Sequence, residues 1–283
     1  MSTPRVWLIT GTSSGLGRAL VETILAKGET VVATLRKPEV LKDLSDKYDQ
    51  SKLLVLKLDV TNSQDIDDVF SKIKEVYNRL DVIVNNAGRG IVGEFEATTK
   101  EDGKSLFDIN FWGPVEITKK AIEFFRSVNK PSGGRILNIA SMAGYNAGPG
   151  MAIYSATKHA LVGVSESIAR ELDPTWNIKI TTIGPGGFRT KALDNVTSLP
   201  PHPEYTEPSL ITNLIRQYLP VVPLPGDATK GAEAIYTISN VENPPANLIL
   251  GADAREQVQE RINNLTKELE AYEDLSASTA YTE

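Results

Sequence analysis

Seven short apolar runs, rich in β-branched residues, punctuate the chain: Val6–Thr10, Thr30–Leu35, Leu53–Leu58, Asp81–Asn85, Arg135–Ala140, Ile178–Ile183 and Leu248–Leu250. Each is near-continuously apolar rather than alternating, the pattern of a strand covered on both faces in a parallel sheet. Between them, Leu16-Leu20-Ile24, Ile66-Val69-Phe70-Ile73 and Leu161-Val164-Ile168-Leu172 recur at three- and four-residue spacing, which predicts helices with one buried face. Strand and helix therefore alternate along the chain, and the expected architecture is a single doubly wound α/β domain over residues 1–283. Ten of the sixteen prolines fall between Pro185 and Pro245, so the segment 187–226 is expected to leave the regular alternation as a loop-rich insertion.

The first strand runs into Thr10-Gly11-Thr12-Ser13-Ser14-Gly15-Leu16-Gly17 and then a helix. Glycines there let the backbone turn sharply and approach a pyrophosphate, whose charge is met by the free N–H groups of the helix N-terminus. Gly11-Thr12-Ser13-Ser14-Gly15 also matches the nucleophile elbow of hydrolases. Context argues against that reading: no earlier loop exists to build an oxyanion hole, and only His159 and His202 are available to complete a triad. In NAD-preferring units an acid about 20 residues after the glycines binds the adenosine ribose. Here the second strand ends Thr34-Leu35-Arg36-Lys37, and Arg36 would attract a 2′-phosphate, which predicts NADP(H).

Tyr154 and Lys158 stand four residues apart on one helical face, where an ammonium would favour the phenolate and make the pair a proton donor and acceptor for an alcohol or carbonyl. Ser141 directly follows the fifth strand, so its hydroxyl could bond the reacting oxygen. Zero Cys excludes disulfides and thiolate chemistry, and two His cannot build a His-rich metal site, so no metal is expected. A net charge of −6 lacks the basic field that nucleic acid or an anionic membrane would require. With no apolar run near the roughly 18 residues of a membrane span, a cytoplasmic protein with a small-molecule partner is expected.

Taken together these residues resemble the short-chain dehydrogenase/reductase family over about residues 5–253. The matching pieces are the glycine turn Thr10–Gly17, Asp59-Val60, Asn85-Asn86-Ala87-Gly88, Asn110, Ser141, Tyr154, Lys158, and Pro185-Gly186 with Thr190. The resemblance implies a Rossmann-type sheet of about seven strands in the order 3-2-1-4-5-6-7. It implies Tyr154 as general acid/base, Lys158 holding the nicotinamide ribose, Ser141 orienting the substrate oxygen, and Asn110 supporting a water-mediated relay to Lys158. Gly11, Ser13, Ser14, Gly15, Leu16 and Gly17 would meet the pyrophosphate, Asp59 and Val60 the adenine, and Asn86, Ala87, Gly88, Pro185, Gly186 and Thr190 the rest of the cofactor. Two positions depart from the pattern: Ser14 stands where NADP-preferring relatives often carry a cation, and Gly184 where many carry Asn.

The expected function is hydride transfer between NADP(H) and a bulky apolar alcohol, ketone or aldehyde, by similarity to hydroxysteroid and retinoid dehydrogenases. The rival is a catalytically idle NADP-binding sensor or scaffold, which would not require Asn110, Ser141, Tyr154 and Lys158 together. Segment 187–226 is expected to form a substrate lid with Phe188, Leu193, Tyr205, Leu210, Leu214 and Tyr218 on its apolar side. Arg89 is placed near the mouth of the site, where it could pair with an anionic substrate group. After the last strand, Val258, Ile262, Leu265, Leu269 and Tyr272 predict a helix over 254–272, followed by a tail. That helix is expected to pack over its own domain and shield the surface of a family tetramer. The helices around 100–128 and 154–172 would remain for a homodimer.

Overall fold

The computed structural model describes residues 3–190, 196–219 and 221–281. Seven strands form the central sheet: β1 Val6–Thr10, β2 Thr30–Leu35, β3 Leu53–Lys57, β4 Val82–Asn85, β5 Gly134–Ile139, β6 Ile178–Pro185 and β7 Asn247–Leu250. They lie in the order β3-β2-β1-β4-β5-β6-β7, and every pairing is parallel. Each apolar run read from the sequence becomes one of these strands, with ends displaced by one or two residues. Asp81, for instance, precedes β4 and uses its carboxylate to accept the Val6 amide at 2.8 Å.

Side-chain alternation along the strands divides the core in two. Val6, Leu8, Val32, Ile83 and Ile136 face one side, where Ile66, Phe70 and Ile73 of helix Ser63–Tyr77 and Ile117, Phe124 and Phe125 of helix Gly113–Ser127 cover them. Trp7, Ile9, Val31, Ala33 and Val84 face the other, under Leu20, Val21 and Ile24 of helix Gly15–Ala26 and Ile235 of helix Ala228–Ile238. Both faces are apolar because both are covered. Strand order reverses between β1 and β4, so the loops at their carboxyl ends part and leave a crevice. Thr10–Gly17, Asn85–Arg89, Ile139–Ser141 and Pro185–Thr190 all sit at that end of the sheet.

Segment 187–226 is tied down at several points. Phe188–Arg189 pairs with Gly226–Asp227, Val196–Ser198 pairs with Gly90–Val92, and helix Ile211–Tyr218 lies between. The Phe188 ring packs on helix Ala228–Ile238 and its lead-in, for a Cβ placed on Gly226 or Gly231 would come within 2.7 Å of it. The Tyr205 hydroxyl bonds Glu96, Tyr218 is exposed, and Leu193 lies outside the described residues.

The predicted C-terminal helix is present at Ala252–Ala271, but its packing corrects the expectation. Among its residues only Ala254 is buried, whereas Ile262, Leu265 and Leu269 are 51, 43 and 67% exposed. The chain turns out of β7 through Gly251 at φ +110°, and contacts such as Asn146 Nδ2 to Gln257 O hold only the first turns. The rest projects from the domain and shields no part of it. No helix among the described residues is long and apolar enough to cross a membrane.

Candidate active site

Helix Ala152–Glu171 places Tyr154 in its first turn and Lys158 one turn later on the same face. Lys158 is buried and its Nζ donates to the carbonyl of Ile139, the last residue of β5, at 2.9 Å. Ser141 lies two residues beyond that carbonyl. Its Oγ accepts the Ala143 amide at 3.1 Å, capping the short turn Met142–Gly144 and leaving its proton free to donate. Ser141 is within hydrogen-bond reach of Tyr154, while the Lys158 ammonium lies 5.9 Å from the Tyr154 ring centre. Burial pushes the Tyr154 hydroxyl up, an effect that the Ser141 contact partly offsets, and burial alone pulls Lys158 down to about 8. The fall in Tyr154 expected from a neighbouring ammonium is not found: burial raises the hydroxyl, and Ser141 is the group that acts the other way.

Asn110 is fully buried in a single π-helical turn, Asp108–Trp112, between helices Lys100–Phe107 and Gly113–Ser127. Such wide turns turn a side chain out of the regular ladder. Its Oδ1 accepts the Arg89 amide at 3.0 Å, and its Nδ2 donates to the Arg89 carbonyl at 2.9 Å and to Thr157 Oγ1 at 3.2 Å. Gly88 completes this corner, for a Cβ there would stand 3.1 Å from Asn110 Oδ1 and 3.6 Å from Lys158 Nζ. Arg89 thus acts here through its backbone. Its Nη2 donates to Ser105 Oγ rather than facing the crevice as a free cation.

The glycine turn is built for close approach. Gly11 has φ +70°, and a Cβ on it would meet Ala87 Cα at 2.8 Å; a Cβ on Gly17 would meet the Gly11 carbonyl at 2.4 Å. Asn86 locks the same contact by donating from Nδ2 to Thr10 O and Gly11 O at 2.9 and 3.1 Å. Gly15, at φ +59°, faces Thr190 across the crevice. The helix that follows starts at Ser14 with no side-chain cap, and its first turn, through Leu16, holds no acid. Uncapped amides with no competing carboxylate fit an anionic pyrophosphate. Ser13 lies within this turn.

Further from the turn, Arg36 is exposed just past the end of β2 and makes no ion pair among the described residues, whereas nearby Arg18 is taken by Glu22 and Asp43. Asp59 Oδ1 accepts the Thr61 amide and hydroxyl, and buried Val60 packs on Gly113. Pro185 ends β6, and a Cβ on Gly186 would lie 2.3 Å from Asp253 Oδ1. Gly184 has a packing reason as well: the Tyr145 ring would stand 2.7 Å from any Cβ there, so the Asn of many relatives does not fit. No group of His, Cys, Asp and Glu suited to a metal occurs among the described residues.

Sequence reasoning passed over several supports. Asn138, the penultimate residue of β5, accepts from Asn85 Nδ2 and donates to Ser165 Oγ, each at 2.8 Å, which ties β4 to helix Ala152–Glu171. The signal was available as an asparagine within each of two apolar strands, since a buried amide requires partners. Asp253 accepts the Gly187 amide at 2.7 Å, and Glu94 pairs with Arg216. Neither pairing has a sequence signature, because each spans 66 residues or more.

Residues 5–199 match the family model described as short chain dehydrogenase. An uncharacterized oxidoreductase of Schizosaccharomyces pombe is 40% identical over 96% of this chain and 91% of its own length. A short-chain dehydrogenase from Streptomyces avermitilis has a solved structure that is 37% identical and superposes with a TM-score of 0.90, covering 99% of this chain and all of that one. A short-chain dehydrogenase/reductase from Burkholderia phymatum, solved in complex with NAD, shares the fold at a TM-score of 0.77 and 22% identity, over 94% of this chain and 95% of that one.

Proposed function

The chain belongs to the short-chain dehydrogenase family, and from that premise we propose that it is an NADP(H)-dependent oxidoreductase that interconverts a bulky apolar alcohol and its ketone or aldehyde. The observation that carries the reading is the meeting of Ser141, Tyr154 and Lys158 at the end of β5, with Asn110 in the adjoining corner. When bound, the nicotinamide cofactor supplies or accepts the hydride. In reduction, the Tyr154 hydroxyl donates its proton to the carbonyl oxygen as that oxygen gains charge, and Ser141 hydrogen-bonds the same oxygen. Burial keeps Tyr154 protonated at neutral pH, the state that an acid needs. Lys158 holds the cofactor ribose and, through a relay supported by Asn110, returns the proton to Tyr154.

The glycine turn and the uncapped helix start support dinucleotide binding by Gly11, Ser13, Ser14, Gly15, Leu16 and Gly17. Arg36 supports the 2′-phosphate, since its guanidinium is exposed and has no acidic partner among the described residues. Asp59, Val60, Asn86, Ala87, Gly88, Pro185, Gly186 and Thr190 line the remainder of the cofactor path. The apolar preference is supported by Ile91, Leu106 and Leu199, which cluster with Ile153 against Tyr154.

An NADPH-consumption screen over apolar ketones, aldehydes and quinones tests the activity, and Tyr154→Phe tests the mechanism. Turnover should fall by at least ~10²-fold while NADPH affinity stays near that of the wild type. Retained turnover in that variant would remove Tyr154 from the chemistry. NADPH binding without consumption of any carbonyl would leave a sensor or scaffold.

A further inference from the structure

At the opposite end of the sheet, where the strands begin, a cavity of about 490 Å³ opens among the amino ends of β1, β4 and β5. Four cations line it, Arg5, Arg79, Lys130 and Arg135, against one acid, Asp81. That acid is already engaged: Oδ1 accepts from Arg79 Nε and Oδ2 from the Val6 amide, each at 2.8 Å. Arg5 is fixed rather than mobile. It pairs with Glu29, donates to Ser239, and lies over the Trp7 and Tyr236 rings at 4.8 and 5.4 Å. Its Nη2 is buried, closed off from the cavity, and has no partner among the described residues.

Arg135 is the more unusual group. Its Nη1 donates only to the Gly134 and Asn177 carbonyls at 3.3 Å, its Nε is buried and unpartnered, and no carboxylate among the described residues lies within ion-pair distance. Burial and the nearby Arg5 charge both disfavour its charged form, while Glu242 acts weakly the other way. A buried donor without an acceptor is costly, and a guanidinium facing another guanidinium is costlier. Arginine stays charged, and Arg135 is only part-buried, so an anion in the cavity can meet its guanidinium.

We propose that this cavity is a binding site for a small phosphorylated metabolite, with the phosphate held by Arg135 and by Lys130 at the rim. Arginine forks match phosphate oxygens, and the other walls, including Asn78, Asn177 and Ser132, suit a polar remainder such as a sugar. The site is independent of the catalytic reading and of the cofactor crevice, which lies at the carboxyl ends of the strands.

Inorganic phosphate is the probe, titrated by calorimetry into the full chain and into two variants. Because phosphate could also occupy the Arg36 region, Arg36→Leu serves as the control. Arg36→Leu should retain a phosphate-binding event that Arg135→Gln weakens at least tenfold, with NADPH affinity of Arg135→Gln unchanged as evidence of an intact fold. Should that variant fail to fold, exposed Lys130→Gln should weaken the same event about threefold. A wild type that binds no phosphate would overturn the proposal. So would binding abolished by Arg36→Leu, binding unaltered in the soluble cavity variant, or citrate bound more tightly than phosphate.

Discussion

Burial favours the neutral form of both Tyr154 and Lys158, yet the consequences differ because one is an acid and the other a base. The tyrosine keeps its proton through the neutral range, while the lysine, with its folded value near 8 against an ordinary 10.5, is an ammonium held at a cost. Between about pH 8 and 10.5 the unfolded chain binds more protons at this position than the folded one, so stability rises with pH across that window. Lys158→Met removes the titration. The melting temperature of the variant relative to the wild type, both without cofactor, should therefore be highest below pH 8 and fall steadily toward pH 10.5. A difference that does not vary with pH would show that Lys158 is not desolvated as described. Arg36 carries a second prediction at this scale. Arg36→Leu should reduce the preference for NADPH over NADH by about 1.5 to 3 kcal/mol, the range for a hydrogen bond to a charged group. An unchanged ratio of NADPH to NADH affinity would place selectivity elsewhere.

Among the elements, helix Ile211–Tyr218 is tied to the domain by a buried ion pair. Glu94 is buried beyond β4 and receives both terminal nitrogens of Arg216, which also donates to the Leu199 carbonyl. The Arg216 guanidinium holds the Glu94 carboxyl down at about 2, so the pairing is complete above the ordinary carboxylate range and is lost only as pH falls toward 2. Arg216→Met would strand a buried carboxylate, at a cost of roughly 3 to 5 kcal/mol. Hydrogen exchange in 196–219 should accelerate in that variant while the central strands keep their protection; a uniform loss of protection would make the pair a global rather than a local anchor. In the wild type the same segment should become protected when NADPH and substrate bind. The Glu94–Arg216 pairing was not legible in the sequence, because 122 residues, with whole strands and helices among them, separate the two. The seven strands were legible because two-sided burial writes itself as unbroken apolar runs. Tyr154 and Lys158 were legible as a pair because four residues set them on one helical face, whereas Asn110 was named only through the family resemblance. The supports around them were hidden, since Arg89 holds Asn110 with backbone atoms that any residue carries.

At the scale of the whole molecule, a C-terminal helix that projects instead of folding back changes the grounds for a dimer but not the expectation of one. A three- to four-residue apolar period predicts a helix and a face to be covered, but it carries no information on what covers that face. The direction is set at Gly251 and by Asp253, whose carboxylate accepts the Gly187 amide, and no periodic pattern encodes that geometry. Without shielding by this helix, the case for a two-fold interface rests on the helices Lys100–Phe107, Gly113–Ser127 and Ala152–Glu171. At the wide turn joining the first two, Phe107, Phe111 and Trp112 stack edge to face at 6.1 and 4.8 Å, and Trp112 is 53% exposed. An exposed tryptophan at the end of an ordered aromatic row is the kind of anchor that dominates interfaces. Light scattering should give about twice the 30.8 kDa chain mass for the wild type and for a chain ending at Gln257, which keeps the Asp253 contact and loses the projecting turns. Trp112→Glu should bring the mass to that of one chain while leaving the fold intact, because the side chain is not part of the core. A dimer that survives Trp112→Glu but dissociates on truncation would assign the interface to Ile262, Leu265 and Leu269 instead.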